Sequence, residues 1–130
     1  MLKKNYPDLA LLILRVSFAL LMMTHGFGKL EKLLAGGEIK FFNFLGIGPT
    51  ASLVLTVIGE FVAPAMMVLG FYTRWASLVA AFTMGVATFW IHSGDPLGDK
   101  EQAMMYFFGF LTVFLAGGGK FTLESVLKKK

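Results

Sequence analysis

The sequence predicts an all-α integral membrane protein, a bundle of four helices that cross the bilayer with both termini in the cytoplasm. Hydrophobic residues make up 56% of the 130 residues and charged residues only 15%. The mean hydropathy is +0.71, and long apolar segments alternate with short polar ones. A water-soluble domain of this size could not bury so much apolar side-chain surface. We therefore expect lipid to cover it.

Four apolar segments have lengths that suit a membrane crossing, since a helix needs about 20 residues to pass through about 30 Å of hydrocarbon. They occupy residues 9–28, 50–70, 75–92 and 102–118. We assign all four to one domain, residues 1–130. The apolar stretch at residues 41–47 is too short to span, so we predict that it is interfacial or re-entrant.

The distribution of lysine and arginine predicts the orientation. Four crossings place both termini and the turn at residues 71–74 on one side of the membrane. That side carries Lys3, Lys4, Arg74, Lys120, Lys128, Lys129 and Lys130. The other side carries fewer basic residues and five acidic ones. Basic residues accumulate in cytoplasmic segments, so both termini are expected in the cytoplasm.

Two charged residues lie inside predicted spans, Arg15 in the first and Glu60 in the second. Each costs at least ~2.5 kcal/mol to insert, so such side chains normally face the bundle interior and a partner. We predict a buried ion pair between Arg15 and Glu60, because either charge alone in hydrocarbon would be far less stable. In the alternative, Arg15 extends to the cytoplasmic head groups and Glu60 is protonated.

A second set of polar residues lies at the predicted outer ends of the helices. His25 and Lys29 share one face of the first span, His92 follows the third, and Glu101 precedes the fourth. We expect these four residues to surround one ligand-binding pocket. Two stripes of residues at helical spacing would lead to this pocket. The stripe in the third span consists of Ala81, Gly85, Thr88 and His92, and the stripe in the fourth consists of Glu101, Met105, Phe108 and Thr112.

Three interpretations of this pocket stay open. A haem could bind His25 and His92, although two lone histidines favour it least. A quinone needs only a hydrogen-bond donor such as His25, a titratable carboxylate such as Glu101, and aromatic walls. Alternatively, the polar side chains simply end their helices at the head groups.

Other chemistry receives no support from the sequence. No ligand spacing for a metal and no nucleophile with an adjacent base is apparent. The absence of cysteine excludes thiolate metal sites and thiol redox chemistry in this chain. The basic residues cluster at the chain ends and not along a recognition face, which argues against nucleic-acid binding.

Several short motifs, in their order and spacing, resemble the DoxX-like family of small four-helix membrane proteins. They are Leu14-Arg15, His25-Gly26 with Lys29, residues 44–49, Gly59-Glu60, residues 70–74, His92 and residues 117–124. The resemblance extends over nearly the whole chain. In the last motif, Lys120 and Glu124 stand where the family more often has Arg and Asp, so neither residue is given a role.

The resemblance implies a multi-pass protein in the plasma membrane of a bacterium or archaeon. Family members are linked to quinone-dependent electron transfer and to complexes of oxidative-stress defence. We therefore expect a membrane subunit that binds a small lipophilic molecule, such as a quinone, or anchors a soluble or membrane-bound redox partner. It would be a subunit of a quinone-linked oxidoreductase and need not catalyse a reaction by itself. A scaffold or assembly factor and a homo-oligomeric transporter of small solutes remain as alternatives, because fold does not fix function.

Overall fold

The computed structural model of the protein describes residues 2–37, 44–91, 94 and 96–128, and the regular elements in these ranges are all helical. The predicted all-α class is confirmed for them. The elements in chain order are α1 (Leu2–Ala35), a short 3-10 turn (Phe44–Gly46), α2 (Pro49–Val57), a π-helical segment π1 (Ile58–Val62), α3 (Ala63–Leu69), α4 (Thr73–Val86), a second π-helical segment π2 (Ala87–Ile91), α5 (Leu97–Ala116) and α6 (Leu123–Lys128).

Two helices in the described ranges are long and apolar enough to cross a membrane. They are Tyr6–Ala35 and Pro49–Leu69, the second being the continuous helix formed by α2, π1 and α3. Helix α1 has 34 residues and is thus about 51 Å long, so it extends beyond a hydrocarbon core of about 30 Å. Part of the predicted interfacial stretch, residues 41–43, lies outside the described residues, and Phe44–Gly46 forms the short turn.

The interior is formed where α1 meets its neighbours. α1 packs against α2, π1, α3 and α5, while α4 packs chiefly against α5. Ala19 and Met22 of α1, Met67 of α3, Ala80 of α4 and Phe110 of α5 belong to one buried apolar cluster. Many other large apolar side chains point outwards and are exposed, which is expected of surfaces that lipid covers.

Proline accounts for the π-helical segment π1. Pro64 has no N–H group, so the carbonyl of Glu60 cannot receive the usual bond from four residues ahead. The helix widens just before this point, and the N–H of Ala63 bonds to the carbonyl of Ile58, five residues back. Such π-helical turns occur frequently at functional sites. Here π1 carries the buried residue Glu60.

Candidate functional site

Arg15 and Glu60, the predicted ion pair, do not meet. The Arg15 side chain is buried, with 1% of its surface exposed. Its guanidinium donates hydrogen bonds to the backbone carbonyls of Met67 at 2.5 Å, Val68 at 3.1 Å and Phe121 at 2.6 Å. The alternative, in which Arg15 extends to the head groups, does not match this buried position either.

Two of the carbonyls that Arg15 binds, those of Met67 and Val68, lie at the end of α3, where the last carbonyls of a helix lack partners within the helix. Gly70 ends α3 in the left-handed conformation at φ 75°. The N–H of Phe71 then bonds to the carbonyl of Met66 at 2.9 Å. A helix C-terminus carries partial negative charge, and Glu124 also attracts Arg15. Arg15 therefore connects α1, α3 and the segment before α6, which is a structural role.

Glu60 pairs with Lys29 instead. The ammonium nitrogen of Lys29 lies 2.7 Å and 2.8 Å from the two carboxylate oxygens of Glu60. The reason is the register of α1 and π1, because Gly26 packs directly against the backbone carbonyl of Glu60. Arg15 is eleven residues from Gly26, roughly 16 Å along the helix, which is beyond the reach of its side chain.

The Lys29–Glu60 pair forms one wall of an open pocket between α1, π1, α5 and the junction of α4 with π2. The pocket has a volume of about 150 Å³, and its lining residues are Met22, His25, Lys29, Glu60, Met84, Ala87, Gln102, Ala103 and Tyr106. The Nε2 atoms of His25 and Gln102 are 3.3 Å apart. The His25 ring packs edge-on against the Tyr106 ring at a centroid distance of 5.9 Å. Polar groups of α1 and α5 thus approach each other across the pocket.

Tyr106 combines burial with a hydroxyl that no residue satisfies in the described ranges. The side chain is 8% exposed and lines the pocket. Its hydroxyl forms no hydrogen bond with another described residue. The side chain lines the pocket, so its hydroxyl is available to a bound molecule or to water.

The structure brings together only part of the predicted pocket. His25 and Lys29 lie in it, His92 lies outside the described residues, and Glu101 is exposed and does not line it. Gln102 occupies the position expected for Glu101. The predicted stripe is in fact an outward face of α5, where Met105 and Phe108 are 58% and 52% exposed.

The sequence contains a pattern that could have identified the pocket residues of α5. Gln102, Tyr106 and Gly109 are spaced at i, i+4 and i+7 and form a stripe of polar or small residues in an otherwise apolar helix. Gly109 packs against Phe18 of α1. This stripe faces α1, and it differs from the predicted one by a single residue, or about 100° around the helix.

The pocket suits one small ring better than a large cofactor. Cavities of about this volume accept a ligand the size of benzene, whereas a porphyrin is several times larger. Of the two histidines considered as haem ligands, His25 lines the pocket and His92 lies outside the described residues. The residues in the described ranges contain no cluster of three or more His, Asp or Glu side chains that could hold a metal ion.

Comparisons with known proteins agree with this description. The sequence model of the DoxX family matches residues 10–93, a region that includes Arg15, His25, Lys29 and Glu60. Inner membrane protein YqjF of Escherichia coli (strain K12) is 28% identical over 132 residues, covering 98% of each chain. Inner membrane protein YphA of the same organism is 30% identical over 124 residues, covering 88% of this chain and 87% of YphA. No solved structure matches the chain.

These relatives confirm the location predicted from the sequence. Both are inner-membrane proteins, and this chain contains two helices with the length and composition of membrane spans. The protein is therefore a multi-pass protein of the plasma membrane. Because the family match covers well over half of the chain, the protein belongs to the DoxX family.

Proposed function

We propose that the protein is a single-domain membrane subunit that binds a small lipophilic molecule, by preference a quinone, in the pocket between α1, π1, α5 and the junction of α4 with π2. One observation carries the proposal. Five polar side chains from three helical elements surround a cavity with room for one six-membered ring, namely His25, Lys29, Glu60, Gln102 and Tyr106.

The chemistry of the pocket favours a quinone among lipophilic ligands. A quinone ring carries two carbonyl oxygens that accept hydrogen bonds, and the pocket supplies donors in Lys29, Gln102 and Tyr106. The charges of Lys29 and Glu60 cancel, which suits a neutral ligand. The rest of the wall is apolar and includes Met22 and Met84, as a ligand that resides in lipid requires.

The proposed setting of this pocket is a bundle with four membrane crossings and both ends in the cytoplasm. The continuous helix from α4 through π2 is about 28 Å long and α5 about 30 Å, close to the thickness of the hydrocarbon core. Phe82 of α4 and Leu115 of α5 are 63% and 69% exposed, as lipid-facing residues would be. In this orientation the pocket lies towards the outer leaflet.

The test is the quinone content of protein purified from its own membrane. Gln102→Ala and Tyr106→Phe each remove one hydrogen-bonding group and should lower the bound quinone roughly three- to tenfold. Glu101→Ala is the matched control, because Glu101 is adjacent to Gln102 and equally exposed but lies outside the pocket lining. It should retain the wild-type content.

Three outcomes would contradict the proposal. The first is a wild-type protein without extractable quinone, and the second is an equal loss of quinone in Gln102→Ala and Glu101→Ala. The third is a native mass spectrum of a ligand-free chain bound to another protein, which would favour the scaffold or assembly factor.

A further inference from the structure

We propose that Lys29 contacts an oxygen atom of the ligand ring and that Glu60 is the positioning residue that holds Lys29 there. Among small lipophilic molecules, the pocket would then select rings that carry oxygen atoms able to accept hydrogen bonds. This inference rests on the proposed function, since it concerns the same pocket.

The geometry of the pair leaves Lys29 with one donor for a ligand. An ammonium group has three N–H donors. Two of them point to the carboxylate oxygens of Glu60, at 2.7 Å and 2.8 Å. Lys29 lines the pocket, and no other described residue accepts a bond from its third N–H.

Burial assigns the two residues different roles. The Glu60 side chain is 5% exposed, whereas the Lys29 side chain is 35% exposed. Both oxygens of Glu60 are engaged by Lys29, and a carboxylate buried to this degree is unstable without its cation. Both residues line the pocket, but Glu60 is fixed inside the protein and Lys29 is the more exposed member with a donor left for a ligand.

The backbone keeps Glu60 at this position. A Cβ atom at Gly26 would overlap the backbone carbonyl of Glu60, so the glycine allows α1 and π1 to approach closely. The wide π-helical turn that carries Glu60 is next to this contact. As a result, the ammonium of Lys29 is held at one point of the wall, where a charge-assisted hydrogen bond loses little side-chain freedom.

A site of this kind distinguishes ligands by whether they carry an oxygen that can accept the hydrogen bond from Lys29. A ring without oxygens would leave the spare N–H of Lys29 unpaired on binding, and sites built for hydrogen bonding reject such analogues strongly. Duroquinone and durene provide a matched pair of probes. Both are tetramethylated six-membered rings, and only duroquinone carries the two oxygens.

The experiment measures the affinity of the full-length protein in lipid nanodiscs for each probe. For Lys29→Met we expect the affinity for duroquinone to fall about tenfold or more, with that for durene unchanged. Glu60→Gln should lower the preference for duroquinone by a smaller factor, because the ammonium stays but is held less firmly. Lys29→Arg keeps a cationic donor and should retain most of the preference. Lys32→Met is the control, since Lys32 is exposed on the same helix outside the pocket.

The outcomes separate this inference from the function on which it rests. A wild-type protein that binds neither probe refutes the proposed function, and the inference with it. If the wild type binds duroquinone and Lys29→Met binds it equally well, the inference alone is wrong. A parallel loss of both probes in Lys29→Met would show a general structural defect and would also overturn it. Should Lys29→Met fail to fold because Glu60 loses its cation, the double variant of Lys29→Met with Glu60→Gln, compared with Glu60→Gln alone, decides by the same ratio of affinities.

Discussion

Replacement of Arg15 by methionine tests the structural role that the contacts assign to this arginine. Methionine keeps most of the buried side-chain volume but removes the donors to Val68 and Phe121, whereas the carbonyl of Met67 still accepts a bond from Gly70. A hydrogen bond to a charged group contributes about 1.5–3 kcal/mol, and the loss of two such bonds is offset in part because no guanidinium is buried. We expect a net decrease of about 3 kcal/mol in the free energy of unfolding.

The assay is reversible unfolding by SDS titration in bicelles, followed by circular dichroism. Arg74→Met is the matched control, because Arg74 is exposed. Its effect should stay within about 0.5 kcal/mol. The reasoning fails if Arg15→Met and Arg74→Met unfold with similar free energies.

A double-mutant cycle distinguishes the observed contacts from the ion pair predicted by the sequence. Arg15→Met and Glu60→Gln act on separate sites and should be additive within about 0.5 kcal/mol. Lys29→Met and Glu60→Gln remove the two halves of one pair, so their coupling energy should lie between about 1 and 3 kcal/mol. Strong coupling of Arg15 with Glu60 would restore the pairing expected from the sequence and contradict the register described above.

Two further predictions concern the approach of α1 to π1 and the orientation in the membrane. Gly26→Ala should lower the free energy of unfolding by about 2 kcal/mol or more because its Cβ would overlap the carbonyl of Glu60, whereas Gly28→Ala, with open space around it, should be neutral or raise stability by up to about 1 kcal/mol. Equal effects would argue against the close contact. The chain has no cysteine, so Glu31→Cys and Lys128→Cys give single-cysteine variants. In intact cells a membrane-impermeant maleimide should label only Glu31→Cys, and the reverse pattern would invert the proposed orientation.

The helical class followed directly from composition, because apolar segments of about 20 residues allow few other structures in lipid. The starts and ends of the helices were harder to predict. The helix α1 continues to Ala35, past the expected end at residue 28. Its last turns contain Lys29, Glu31 and Lys32, and hydropathy alone marks the edge of the hydrocarbon and not the end of the helix. The C-terminal helix α6 has only six residues, too few to show a clear periodic pattern.

The pocket lining contributed by α1 was expected from the sequence, whereas that contributed by α5 was not. His25 and Lys29, which share one face of α1 at a spacing of four, both line the pocket, and their role in ligand binding stays a prediction. At the start of α5, Glu101 and Gln102 are adjacent and both polar. The charge of Glu101 favoured it over the amide of Gln102 as the inward residue. The predicted inner face of α5 therefore differs from the observed one by one residue. The packing of Gly109 on Phe18 shows which face is correct.

Arg15 and Glu60 each have a different partner from the one predicted, for a reason that applies to membrane helices in general. The cost of an unpaired charge in lipid predicts that Arg15, Lys29 and Glu60 each need a partner, but not which one. The choice depends on how far one helix slides along another, and Arg15 lies roughly 16 Å along α1 from the residue that faces Glu60. In this protein Gly26 sets that register by direct contact with π1. Once Gly26 lies opposite Glu60, Lys29 is within reach of the carboxylate and Arg15 is opposite the carbonyls that end α3. A glycine without chemistry of its own thus determines which charged residue faces the pocket.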